Sequence, residues 1–343
     1  MIPIGLVFNG PPYQTRDMVS AVKMAEVAGF HSAWHAEDVY GPDAITMLAS
    51  YAQVTERLKL GTALINPNTR YPALIANTFA TLDQVSRGRI ILGLGAGLTW
   101  LPLVGKVAKD VKSLTLMRDT IRLLRSVWAG EDLQINGQDI YWYGCRVSLP
   151  RAFNWPWGGF KIERDRIPIY VGAKGPKMIE MAGALADGLI VEHSVPLHGI
   201  RTWVDSFLSA ADSAGRVLES LEVAGLILFS PSENGRPDST LYSFVAGLRI
   251  VSLKPSEIDE LGFDPALVER IRGLWQEGRK EEAGKLVTRE MLDCFGVFGT
   301  PDECVSKLKL YRRAGITIPL IMPEACDIRL AVETGAAFAA SQI

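Results

Sequence analysis

The stretch IPIYVGAKGPKM, residues 167–178, predicts a buried strand followed by a tight turn and a helix. Its alternate β-branched residues are typical of a strand. Gly172 and Gly175 mark the turn, and Pro176 stands at a first helical position, where proline is favoured. Free backbone N–H groups and the helix dipole make the start of such a helix a ready site for an anion. The stretch therefore predicts either a phosphate-binding turn beside two lysines or an ordinary strand–helix connection.

The same alternation of strand and helix extends through the rest of the chain. Apolar runs predict strands at residues 4–8, 32–37, 58–65, 90–94, 167–171, 189–191, 223–229 and 316–322. Helices are expected to begin near residues 15, 43, 72, 114, 176, 200, 301 and 328. Thr15 is expected to cap the first helix, and Thr300 with Glu303 forms a capping box for the seventh. Eight strand–helix pairs favour an α/β fold of the closed (β/α)8 type, a TIM barrel, with a doubly wound open sheet as the alternative.

Two segments interrupt the alternation, one after strand four and one after strand seven. Residues 131–166 hold three of the eight tryptophans, and residues 230–299 contain a charged helical stretch at 265–288. Insertions after barrel strands lie over the C-terminal face, where active sites sit. The first insertion is equally consistent with a lid or substrate wall and with extra packing or an oligomer contact. Packing or an oligomer contact is favoured for 265–288. We expect one domain spanning residues 1–343.

The composition excludes several classes of function. The formal net charge of −2 offers no bulk attraction to nucleic acid or to an anionic membrane. The N-terminus lacks a secretory signal, and no apolar run approaches the 18 residues of a membrane span. Cys145, Cys294, Cys304 and Cys326 are widely spaced, and neither they nor the four histidines show metal-ligand spacing. The sequence predicts a cytoplasmic protein with free thiols, no metal site and a small-molecule substrate.

The ends of the predicted strands carry the candidate catalytic residues, because barrel enzymes place their chemistry there. Glu37 and Asp38 end strand two and point to opposite sides, so at most one faces the barrel axis. A buried carboxylate there could donate a proton, and His193 after strand six could act as a base or contact a cofactor. A solvated loop start and a structural histidine are the alternatives. Gly95 and Gly97 after strand four permit either a tight turn or the close approach of a planar ring.

Four blocks of the sequence resemble the bacterial luciferase-like superfamily. They are residues 60–70 (LGTALINPNTR), 72–97 (ending ATLDQVSRGRIILGLGAG), 167–188 (IPIYVGAKGPKMIEMAGALADG) and 298–315 (FGTPDECVSKLKLYRRAG). The Gly-Pro-Lys-Met form of the third block resembles the branch that binds the deazaflavin coenzyme F420, which includes the methylenetetrahydromethanopterin reductases. The similarity leaves out residues 131–166 and 230–297. The resemblance implies a (β/α)8 barrel, usually a homodimer, that transfers a hydride between F420 and an organic substrate. An FMN-dependent monooxygenase of the same superfamily and a cofactor-binding barrel without turnover are the alternatives.

The resemblance also implies where the cofactor binds. Its phosphate tail would lie at the strand-five turn, and a bulge after strand three would back the ring. Many members carry a non-prolyl cis peptide in that bulge, and the matching bond here is Ala63–Leu64, within one residue. The implied cofactor-binding residues are Ala63, Leu64, Ile65, Asn66, Gly95, Ala96, Gly97, Gly172, Ala173, Lys174, Gly175, Pro176 and Lys177.

Two positions depart from the pattern of the F420 branch. That branch commonly ends strand two in Asp-His, whereas this chain has Glu37-Asp38, so Asp38 takes the place of a histidine that often acts in catalysis or ring binding. The pterin reductases resemble one another in an acid on strand one, where this chain has Val7. The resemblance therefore implies a retained cofactor and a different substrate, with Asp38, Glu37 or His193 as the candidate proton donor.

Overall fold

Parallel strands close into a barrel in the computed structural model. It describes residues 1–10, 12–37, 41–97, 101–102, 105, 107, 109, 111–129, 134–135, 138–139, 141–142, 145–146, 162–193 and 195–342. Within these ranges the barrel strands are β1 (Gly5–Phe8), β2 (Ser32–His35), β3 (Lys59–Thr62), β4 (Ile90–Gly95), β5 (Ile169–Gly172), β6 (Gly188–Val191), β7 (Glu222–Pro231) and β8 (Ile318–Pro323). Each strand pairs in parallel with the next, and β8 pairs with β1. The predicted (β/α)8 barrel is confirmed, and the open-sheet alternative is wrong because the ring has no free edge.

Helices follow the strands as the sequence predicts. They are α1 (Thr15–Val27), α2 (Ala44–Val54), α3 (Pro72–Val85), α4 (Ser113–Trp128), α5 (Pro176–Leu185), α6 (Leu197–Ser213), α7 (Ser239–Leu248), α8 (Pro255–Leu261), α9 (Pro265–Gln276), α10 (Lys280–Lys285), α11 (Arg289–Asp293), α12 (Pro301–Arg313) and α13 (Ile328–Ala340). Thr300 and Glu303 form the expected capping box of α12. The cap expected at Thr15 is wrong, because Thr15 is already helical and Gln14 holds the N-cap position without a side-chain bond.

The interior of the barrel is a packed core. Trp34 and Tyr170 are buried there with ring centroids 5.7 Å apart, and the Trp34 indole N–H donates to Ser32 Oγ over 2.8 Å. Gly61 makes room for the indole, since a Cβ at that position would lie 2.2 Å from the Trp34 ring. A second apolar layer fills the space between strands and helices and includes Phe79. Side chains fill the barrel, so a ligand must bind at its mouth.

The second insertion packs against the barrel. Val268 and Ile271 of α9 are fully buried and belong to the same apolar cluster as Trp34 and Tyr170. A short strand, Gly296–Gly299, then pairs with the end of β7 before α12 begins. The helical stretch predicted at 265–288 therefore extends the core, in line with the packing interpretation.

The first insertion is described only in part. Two short antiparallel pairs are seen, Gln134–Ile135 with Gln138–Asp139 and Tyr141–Trp142 with Cys145–Arg146. Residues 147–161 lie outside the described residues, so the substrate-wall interpretation of this segment stays a prediction.

Candidate cofactor and active site

A bulge after β3 reaches the mouth of the barrel. The Ala63–Leu64 peptide bond is cis, as the resemblance implied. Beyond it, Ile65 N–H donates to Gly93 O over 2.8 Å, and Gly95 N–H donates to Ile65 O over 2.9 Å. These bonds to β4 fix the position of the bulge on both sides.

Glycines on β4 and β5 make room for the bulge. A Cβ on Gly95 would lie 2.7 Å from Leu64 Cδ1, and a Cβ on Gly172 would lie 2.3 Å from the same atom. Gly97, at φ 55°, would bring a Cβ within 2.2 Å of Asn66 Nδ2. The Leu64 and Asn66 side chains therefore occupy the space that these glycines leave open. This packing role differs from both interpretations of Gly95 and Gly97 made from the sequence.

The turn after β5 is open and uncapped. Helix α5 has ten residues and begins at Pro176, and its N-cap Gly175 offers no side-chain hydrogen bond. A Cβ on Gly175 would meet nothing within 4 Å. Lys174 and Lys177 are exposed beside it, and Lys174 Nζ lies 3.1 Å from Glu192 Oε2. A helix N-terminus without a side-chain cap, free space and nearby cations are what an anion site needs.

His193 follows β6 in an electropositive setting. Its Nδ1 atom is buried and has no hydrogen-bond partner among the described residues. Burial holds the pKa of His193 well below its usual value, with the nearby charges of Arg249 and Lys174 acting in the same direction. Arg249 comes from the second insertion, directly after α7, and is 7% exposed. The ring is therefore neutral at physiological pH, with one unsatisfied nitrogen.

Glu37 follows β2 on the other side of the mouth. Its Oε1 accepts a hydrogen bond from Arg70 Nε over 2.7 Å, and Arg70 also pairs with Asp43. Glu37 Oε2 is buried and has no partner within the described ranges. Burial raises the pKa of Glu37, and the Arg70 guanidinium opposes that rise. Asp38, the neighbouring candidate, lies outside the described residues.

The topology divides the predicted site residues into two groups. The bulge after β3, the end of β4 and the turn after β5 are on adjacent strands, so the implied cofactor-binding residues share one arc of the mouth. Strands β2 and β6 are four positions apart in the ring of eight, so Glu37 and His193 lie on opposite sides. The described residues contain no group of three or more His, Cys, Asp or Glu side chains that could hold a metal.

A family comparison agrees with this geometry. Residues 7–317 match the model of the Luciferase-like monooxygenase family. The chain belongs to this family.

Relatives of this luciferase-like barrel include F420-dependent enzymes. The chain is 29% identical over 296 residues to a 5,10-methylenetetrahydromethanopterin reductase of Methanolobus tindarius, covering 86% of each chain. It is 28% identical over 327 residues to a putative coenzyme F420-dependent oxidoreductase of Mycobacterium tuberculosis, covering 91% of each. The solved structure of the coenzyme F420-dependent tetrahydromethanopterin reductase of Methanopyrus kandleri superposes with a TM-score of 0.81 at 24% identity, covering 98% of this chain and 97% of that one. The superposition shows a shared fold.

Reasoning from the sequence missed one titratable residue at the mouth of this luciferase-like barrel. Glu324 directly follows β8, and burial raises its pKa to about 7. The rule that pointed to Glu37, an acid at the end of a barrel strand, applies equally to Glu324. The strand-end residue His35 has a structural place instead, because its buried Nδ1 lies 3.0 Å from the Tyr51 hydroxyl.

Proposed function

We propose that this luciferase-like barrel is a coenzyme F420-dependent oxidoreductase that transfers a hydride between the deazaflavin and an organic small molecule. One observation carries the proposal. The open, uncapped start of α5 follows β5, which lies next to β4, and the cis bulge after β3 lies on the other side of β4. One arc of the mouth thus offers an anion site for a phosphate tail and an apolar support for a ring. Relatives over most of the chain are named for F420.

The residues present fit such a cofactor. Lys174, Gly175 and Lys177 would hold the phosphate with the N–H groups of the first turn of α5. Leu64 would back the ring, since its side chain is fixed over Gly95 and Gly172. The proposed contacts are Ala63, Leu64, Ile65, Asn66, Gly95, Ala96, Gly97, Gly172, Ala173, Lys174, Gly175, Pro176 and Lys177. When bound, F420 supplies the hydride chemistry, and the chain supplies orientation and a site from which water is excluded.

The proposed substrate differs from that of the pterin reductases. Val7 is buried in the barrel interior, so this strand offers no carboxylate at the position where those enzymes resemble one another. Asp38, Glu37 and His193 stay candidates for proton transfer. A neutral His193 can accept a proton or donate its N–H in a hydrogen bond, and Arg70 holds one oxygen of Glu37.

A titration of the apoprotein with F420 and with FMN tests the proposal. We expect F420 to bind saturably and the bound deazaflavin to exchange hydride with a member of a panel of alcohols, imines and enones. Binding of FMN without F420 would overturn the proposal in favour of the FMN-dependent monooxygenase. F420 binding without hydride exchange would favour the cofactor-binding barrel without turnover.

We also infer that the protein is a homodimer that uses one face of α3. Tyr71, Leu74 and Val85 are 52%, 64% and 41% exposed, and their spacing places them on one side of this helix. Exposed apolar side chains on one helix face, here separated by Thr78 and Thr81, can take part in a subunit contact.

Replacing Leu74 by arginine should therefore convert the dimer to a monomer, because a charge would be buried at the interface. Sedimentation should give a mass near twice 37.5 kDa for the parent chain and near 37.5 kDa for the variant. Val27→Arg is the matched control, since Val27 is 82% exposed on α1, away from this face. A dimer that survives Leu74→Arg would contradict the inferred interface.

A cytoplasmic location and a single domain are part of the same proposal. Cys294, Cys304 and Cys326 are free, which suits a reducing compartment. The apolar cluster that joins α9 to the barrel interior supports one domain over residues 1–343. No described helix combines the length and the apolar character needed to cross a membrane.

A further inference from the structure

Glu324 extends β8 into the mouth of the barrel. Along this strand Leu320 and Met322 belong to the interior cluster, whereas Ile321 belongs to the outer layer. Because side chains alternate along a strand, Glu324 continues the inward-facing row. Its backbone N–H still donates to Phe229 O of β7 over 3.1 Å. The strand ladder therefore holds the carboxyl group at the rim, on the side of the barrel axis.

Among the strand-end acids that the structure describes, Glu324 is the one whose carboxyl group lacks a cation. Glu37 is bonded to Arg70, and Glu192 lies 3.1 Å from Lys174. The carboxyl of Glu324 makes no hydrogen bond or ion pair with any residue in the described part of the chain, although the residue is largely buried. Burial without a partner favours the neutral form of a carboxyl group. A group in this state can hold a proton at neutral pH and release it when the surroundings change.

The neighbours of Glu324 are fixed and uncharged. The Tyr13 hydroxyl donates to Cys326 O over 2.9 Å, and Tyr13 packs edge-on against Phe8 with centroids 6.0 Å apart. Ala325 adopts a left-handed φ of 47°, a conformation that is uncommon for residues with a side chain. Burial raises the pKa of the Tyr13 hydroxyl, and it raises that of the Cys326 thiol to about 11. Ser230 of β7 adds a hydroxyl group. These neighbours do not titrate near neutral pH, so a titration at this corner would belong to Glu324.

We propose that Glu324 is an acid–base residue of the oxidoreductase, in addition to the candidates already named, an inference that rests on the proposed function. In the reducing direction the hydride adds to the carbon of a carbonyl or imine. The π electron pair moves to the oxygen or nitrogen, and that atom takes the proton of Glu324. The resulting carboxylate then recovers a proton from solvent. In the oxidising direction the carboxylate removes the hydroxyl or amine proton as the hydride leaves carbon.

Two measurements test Glu324 without the cofactor, and both use the variant Glu324→Gln. The control is Glu333→Gln, the same change on the exposed face of α13. Carbon-13 NMR of labelled glutamate should show one carboxyl titrating near pH 7, absent only from Glu324→Gln. The folded pKa exceeds the unfolded value of about 4.5, so ionising Glu324 destabilises the fold increasingly from about pH 4.5 to about pH 7. Glu324→Gln should therefore melt at a higher temperature than the parent chain near pH 8 and at an equal one near pH 4.5.

A kinetic comparison completes the test. With a substrate from the panel of alcohols, imines and enones, Glu324→Gln should lower kcat by about 10²- to 10⁴-fold. The dissociation constant for F420 should change by less than about threefold. A carboxyl that titrates below about pH 5, or a Glu324→Gln variant with parental kcat, would overturn the inference alone. A parent chain that fails to bind F420 would overturn the proposed function, and the inference with it. If Glu324→Gln does not fold, Glu324→Ala assigns the same carboxyl signal, because it leaves unchanged Glu37, whose pKa burial also raises.

Discussion

Replacing Gly93 by alanine should destabilise the folded protein by about 3 kcal/mol or more. A Cβ at this position would lie 1.9 Å from the Thr62 carbonyl oxygen and 3.1 Å from Ile190 Cδ1. The first contact is with backbone, which cannot rotate away as a side chain would. Thr62 Oγ1 also accepts from Gly93 N–H and donates to Gly93 O, each over 3.0 Å. An added methyl group would therefore separate β3 from β4 at the base of the cis bulge.

Chemical denaturation of the purified protein measures this effect. The matched control is Gly273→Ala in α9, the same change at a glycine around which a Cβ would meet nothing within 4 Å. Removing a glycine from a helix interior should stabilise the protein by roughly 0.5–1 kcal/mol. A Gly93→Ala variant whose unfolding free energy lies within about 0.5 kcal/mol of the parent value would show that β3 and β4 can separate at little cost.

Local signals explain why the fold could be predicted. The helix starts at Pro176 and at the Thr300 capping box depend on residues adjacent in sequence, and both lie where expected. Strand positions follow from short apolar runs, and strand ends differ from the predictions by at most three residues. The closure of β8 onto β1 follows from the number of strand–helix pairs, which the sequence supplies.

Contacts between distant segments explain what could not be predicted. Leu64, in the bulge after β3, fills space over Gly95 of β4 and Gly172 of β5. These residues are far apart in sequence, so no pattern along the chain reveals this packing. Arg249 comes near Glu192 and His193 only because the second insertion folds back toward β6. The family resemblance predicts the cis bond, whereas no rule of local propensity does.

Some glycines around the mouth make room for side chains of the protein, whereas one borders empty space. The difference indicates where the phosphate tail of the cofactor would bind. A Cβ on Gly95 or Gly172 would collide with Leu64, so the protein itself uses that space. A Cβ on Gly175 would meet nothing within 4 Å, and the helix start beside it has no side-chain cap. Space that the chain leaves unfilled next to a helix N-terminus without a side-chain cap is available to an anion. Gly175 is therefore the position where a substitution should affect binding without disturbing the fold.

Replacing Gly175 by aspartate should lower the affinity for F420 by about 10- to 100-fold and leave the fold as stable as before. Gly175 has φ −109° and ψ 153°, a region open to any residue, and aspartate is a favoured N-cap. Its carboxylate would bond to the N–H groups proposed for the phosphate and would repel that phosphate.

Gly175→Asn separates the two effects, because asparagine caps the helix equally well without a charge. Fluorescence titration with F420 should show a much smaller loss for Gly175→Asn, and added salt should narrow the gap between the variants, since screening weakens the repulsion. Equal affinities of the two variants for F420 would show that repulsion between the introduced carboxylate and the phosphate tail does not weaken binding. Parental affinity in both would place the phosphate elsewhere on the rim. The helix start would then be an ordinary strand–helix connection, the alternative that residues 167–178 left open.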